Sequence, residues 1–155
     1  MFLYCFINNP KNLTNMFNQI LSHINWLHVA VAAIAYFALG ALWYSPLLFV
    51  KKWIELLKIN VNDPDAKKGM AALFITSFIL MLVTTIGLAV LMQILPAVDV
   101  IGGIKLGLFI AVCFSTTSVS INYVYTKKPF MLYLIDCGYH IAGIVIASAI
   151  LSAWH

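Results

Sequence analysis

The chain contains no arginine, and it is poor in charge of either sign. Its 155 residues carry nine lysines and five acids, so only 9% are charged. A soluble domain carries about 25%. Without guanidinium groups there are no bidentate forks for phosphate. The lysines lie in connections between apolar runs, which makes a poor nucleic-acid surface. Cysteine is scarce too. Cys5, Cys113 and Cys137 are odd in number and far apart, with no CxxC pair, so neither a disulfide framework nor a zinc site is encoded. Cys113 and Cys137 sit in apolar runs and read as small buried hydrophobes. GxSxG, phosphate-loop, dinucleotide, HExxH and paired-carboxylate motifs are all missing. The expectation is a protein that is not an enzyme, with no metal and no cofactor.

What the chain has is hydrophobic residue, 63% of the total. A bilayer core about 30 Å thick takes about 20 apolar residues in a helix. Four runs qualify: Trp26 to Phe49, about Met70 to Leu95, about Ile104 to Tyr125, and about Pro129 to Trp154. Backbone polar groups in lipid must be satisfied within the segment, so each run is read as a helix. The fold class is therefore all-α, an integral membrane bundle of four transmembrane helices. Residues 26–155 form its single domain and residues 1–25 an N-terminal tail. The tail lacks a basic n-region, which makes it a poor signal peptide. Met16 is an alternative start, and residues 1–15 are expected to be poorly ordered.

The lysines set the orientation. Lys51, Lys52, Lys58, Lys67 and Lys68 lie in the first connection, Lys127 and Lys128 in the third. Lysine-rich short loops stay in the cytoplasm, so both termini are expected outside. In the first connection, Trp53, Ile54, Leu56 and Leu57 alternate with Lys51, Lys52, Glu55 and Lys58, as in a short helix lying on the membrane surface. Asn60 to Asn62 break it, and Asp63-Pro64 reads as a cap restarting the chain. Trp26, Trp43, Tyr44, Tyr123, Tyr125 and Trp154 fall near the span ends, as in an aromatic belt.

Two polar features stand inside the spans. Asp136 is the only acid within one, and an ionisable group there is a functional candidate by default. His140 follows four residues on, on the same helical face, with Tyr139 beside it. The set reads either as a proton relay or solute site, or as a helix-to-helix hydrogen bond. The run Ser115 to Ser118, with Ser120 and Asn122, either lines a wet path or bonds back to carbonyls four residues earlier. Thr117 and Asn122 are the members expected near His140 if spans three and four face each other. Tyr36, Gly40, Tyr44 and Leu48 form a stripe at spacing four. Gly103 and Gly107, and Gly143 and Ala147, are small-residue packing patterns. Pro46 removes a helical hydrogen bond and predicts a kink or helix end near Trp43.

Asn25-Trp26, the run Gly40-Ala41-Leu42-Trp43-Tyr44-Ser45-Pro46-Leu47-Leu48-Phe49 and Lys52-Trp53 resemble the signature of the DUF1761 family of small bacterial and fungal membrane proteins. Leu134 to His140 and Ala153-Trp154 are similar to that family's closing helix, where Asn commonly stands at the position of Asp136. The resemblance implies a four-span protein and transfers no catalytic residue. An Asn there implies that charge is dispensable, which favours the hydrogen-bond reading. The expected role is that of a small inner-membrane protein, in contact with the lipid bilayer, working by homo-oligomer formation or with a membrane-protein partner. The alternative is an oligomeric transporter or channel for protons or a small solute, built on Asp136 and His140.

Overall fold

A computed structural model describes residues 10–60, 68–95 and 99–154. Those residues are helical with short connections, and no strand occurs among them. Helix α1 covers Pro10–His23 and α2, span one, covers Trp26–Trp43. The short α3 covers Val50–Leu57, and α4, span two, covers Met70–Ile94. Span three is α5, Val100–Ile110, a wider π-helical segment over Ala111–Thr116, and α6, Thr117–Thr126. Span four is α7, Phe130–Ala153. All four spans are long and apolar enough to cross a membrane.

Local chemistry sets the ends. Asn25 caps span one, its Oδ1 accepting from the backbone N–H of Leu27 at 3.0 Å and of His28 at 3.4 Å. Pro46 stops the helix rather than kinking it. The chain turns over residues 44–49, with Phe49 N–H donating to the Trp43 carbonyl at 3.1 Å. The expected surface helix follows at once as α3. Its Trp53, Ile54, Leu56 and Leu57 are half-buried, while Lys51, Lys52, Glu55 and Lys58 are exposed. Asp99 caps span three through Gly102 N–H at 2.8 Å. The Asp63-Pro64 restart, and residues 1–9 with Cys5, lie outside the described residues.

Span four is the hub. In its most apolar stretch 44% of residues are buried, against 22% in span one and 17% in spans two and three. It packs on spans one, two and three, whereas span three packs chiefly on span four. Close approach needs small residues. Gly103 and Gly107 lie against Ser152 and Ser148, and a methyl group at Gly107 would meet Ser148 Oγ at 2.6 Å. Both small-residue pairs are thus used within one copy.

Three expectations need correction. Residues 10–15 were expected to be poorly ordered, but they begin α1. Met16, Phe17, Ile20, Leu21 and Ile24 recur at helical spacing, giving it an apolar stripe. Cys113 is exposed, not buried; Cys137 is buried as expected. Span three is not one continuous α-helix. Thr117 Oγ1 donates to the carbonyls of Cys113 at 2.7 Å and Phe114 at 3.0 Å, and Ser118 Oγ donates to Phe114 at 2.8 Å. Those hydroxyls bond back to carbonyls three and four residues earlier, next to the wider turn.

Candidate functional site

Asp136, Tyr139, His140 and Gly143 stand at i, i+3, i+4 and i+7 of span four, which puts them on one stripe. Tyr36, Gly40 and Tyr44 form the facing stripe of span one. The two helices run antiparallel, so Tyr44 meets Asp136, Gly40 meets Tyr139, and Tyr36 meets His140 and Gly143. Tyr44 Oη donates to Asp136 Oδ1 at 2.7 Å. Tyr36 Oη and His140 Nδ1 are 2.9 Å apart. Trp43 Nε1 donates to the Ile135 carbonyl at 3.1 Å.

Glycine makes this register possible. A methyl group at Gly40 would stand 2.9 Å from the Tyr139 hydroxyl, and one at Gly143 would run into the Tyr36 ring. Gly138 gives the same room to Trp43, whose Cζ2 would lie 3.2 Å from an added Cβ.

The other spans join the cluster through tyrosine. Tyr123 of span three donates to Asp136 Oδ2. Tyr139 Oη donates to Met81 Sδ of span two at 3.4 Å. The Tyr44 ring meets Tyr139 and Trp53 edge-on, with centroids 5.5 Å and 5.6 Å away, so α3 is held to the same cluster. Asp136 therefore ties three spans with one carboxylate, and each oxygen accepts one phenolic hydroxyl. Among the described residues the ion pair is Lys52 with Glu55 at 2.9 Å, and Asp136 takes part in none. Nor do these residues include a group of three or more His, Cys, Asp and Glu able to hold a metal.

Of the residues proposed from sequence, Asp136, Tyr139 and His140 come together. Thr117 and Asn122 do not: both are exposed on the outer side of span three. The helix turns Tyr123 and Ser120 inward instead, and Ser120 Oγ donates to Tyr133 Oη at 3.2 Å. Tyr36 and Tyr123 were not foreseen as site residues. The spacing-four stripe through Gly40 carried the signal for Tyr36; Tyr123 looked like a belt residue. Ser45 and Pro46 lie in the turn below the cluster, where Ser45 Oγ accepts from Leu47 N–H at 3.3 Å. Asn25 and Trp26 lie at the opposite end of span one.

Fold and site together define a small four-span membrane protein whose helices are tied through a tyrosine–carboxylate–histidine cluster. A family model described as "Protein of unknown function (DUF1761)" matches residues 27–152, and the chain belongs to that family. No curated protein and no solved structure matches it. The two stretches that carry the family resemblance, Gly40 to Phe49 and Leu134 to His140, face one another across the cluster.

Proposed function

We propose that the protein works by association within a bacterial inner membrane, as a homo-oligomer or with another membrane protein. Its lysine loops face the cytoplasm and both termini lie outside. The observation that carries this reading is the incomplete cover of spans two and three. Only 17% of the most apolar stretch of each is buried within one copy. Span three leaves Cys113, Thr117, Ser118 and Asn122 exposed. The hydroxyls of Thr117 and Ser118 are satisfied within their own helix. An amide such as that of Asn122, one turn in from Lys127, gains more from a partner helix than from acyl chains. The inner cluster meanwhile pairs Tyr36 with His140 and Tyr44 and Tyr123 with Asp136, and acts as the lock that fixes the presenting surface.

Cys113 supplies the test. Mild oxidation in native membranes is expected to give a disulfide-linked dimer, lost in Cys113→Ser. A chain that stays monomeric by mass in lipid nanodiscs and copurifies with no partner overturns the reading. Orientation is read by impermeant thiol labelling, with Lys128→Cys reacting from the cytoplasmic side only.

A second reading is proton or small-solute transport, favoured by one specific feature: Asp136 has hydroxyl partners but no cation among the described residues. A carboxylate at that depth is costly and marks a candidate ion or proton path by default. Flux into proteoliposomes that vanishes with Asp136→Asn is the expected signature. Equal flux in wild type, variant and empty vesicles removes it.

A further inference from the structure

The end of the bundle that carries the termini holds a cavity of about 250 Å³. Its floor is apolar: Val29 of span one, Ala89 and Met92 of span two, and Leu151 of span four. All four are buried core residues. Its rim is polar and aromatic: His23, Asn25, His28, Gln93 and Trp154. Among the described residues no acid and no lysine lines it.

We propose that this cavity holds the phosphate and glycerol region of one phospholipid from the leaflet on the termini side. Three observations converge on that ligand. The first is a pair of side-chain donors at the rim. Asn25 Oδ1 is occupied by the N–H groups of Leu27 and His28, which leaves its amide hydrogens for a ligand. The indole of Trp154 can only donate. His28 packs on Trp154 with its ring tilted by 32° and the ring centroids 4.8 Å apart, and His23 Nδ1 is 2.7 Å from the Gln19 carbonyl, so both rings are positioned. Donors above a hydrocarbon floor suit a molecule with acceptor oxygens on an apolar body, such as a phosphodiester next to ester carbonyls. A cationic ligand would find no carboxylate among the described lining residues.

The second observation is depth. Trp26 and Trp154 are 52% and 54% exposed at the ends of spans one and four. Exposed tryptophans at span ends sit at the level of lipid headgroups. The third is the cover. Of α1's apolar stripe, Ile20 and Ile24 pack on the core, while Phe17 and Leu21 face outward at 46% and 37% exposure. A helix with one apolar edge on the bundle and another turned out lies in the boundary between headgroups and acyl chains. The cavity is smaller than the range of about 300–1,000 Å³ that encloses a whole drug-sized ligand. It takes the polar region of the lipid, and the acyl chains run down the outer faces of the spans.

The test uses the full chain, delipidated in mild detergent and examined by native mass spectrometry. The two probes are short-chain phosphatidylglycerol and inorganic phosphate. Wild type is expected to keep one phospholipid that phosphate does not displace. Ala89→Phe, which fills the floor, is expected to weaken retention about tenfold at unchanged helicity. If Ala89→Phe does not fold, Trp154→Ala at the exposed rim carries the test with the same expectation. Retention by the variants equal to wild type overturns the proposal. So does a wild type that keeps no lipid. Displacement by phosphate alone makes the cavity a free-anion site and equally overturns it.

Discussion

Asp136 accepts from Tyr44 and Tyr123, and replacements there separate the need for an acceptor from the need for a charge. Asn keeps one carbonyl acceptor, so Asp136→Asn is expected to fold with a small loss in thermal stability. Asp136→Leu strands both hydroxyls, at about 1–3 kcal/mol for each group left without a partner. Melting of both variants in one detergent checks the order; a Leu variant as stable as the Asn variant removes the locking role. Gly143→Leu is the steric counterpart. It drives a side chain into the Tyr36 ring and separates spans one and four, at a cost of about 1–3 kcal/mol or more. Gly87, with nothing within 4 Å of an added methyl group, is the control, and Gly87→Ala is expected to be neutral or better.

How far these residues were legible follows from what periodicity encodes. Spacing four put Asp136 and His140 on one face, and Tyr36, Gly40 and Tyr44 on another, before any partner was known. It could not say that the two faces meet, because one helix's pattern carries no register with another. Thr117 and Asn122 failed as site residues for the same reason: the span was read correctly, its rotation was not. Tyr123, which that helix turns inward, takes the place they were given.

At the scale of elements, the stop at Trp43 and the surface helix α3 were readable because proline and alternating charge act locally. α1 was overlooked because a mixed polar and apolar stretch near a terminus looks like a tail until its stripe is counted. The π-helical segment is written in the Ser115 to Ser118 run, but hydroxyls that bond back to carbonyls are compatible with a regular helix as well. Two further expectations belong here. Lys127 ends α6 at φ 50°, in the left-handed region that favours glycine. Lys127→Gly is expected to stabilise the helix end by about 1 kcal/mol, read as a raised melting temperature. Trp53→Ala removes the ring contact with Tyr44. Amide exchange is then expected to speed up over Val50–Leu57 while span one keeps its protection; equal protection of α3 in both proteins denies that contact its anchoring role.

For the whole molecule, the count of spans and the all-α class were plain from composition and run length. The asymmetry of the bundle was not, since four runs of similar apolarity give no hint that one is central and two are left bare. Span four is the common partner of the other three, and it follows them in synthesis. Until Phe130–Ala153 inserts, Tyr36, Tyr44 and Tyr123 are in the membrane without Asp136 and His140, and Gly103 and Gly107 without the serines they pack on. The earlier spans can insert one by one, but their mutual arrangement waits for the final helix. Assembly is thereby coupled to the arrival of span four. A product cut short at Lys128 is expected to reach the membrane and then be cleared by proteolysis, whereas co-expression of residues 129–155 as a separate helix should rescue its half-life. Pulse–chase labelling of the two strains measures the difference.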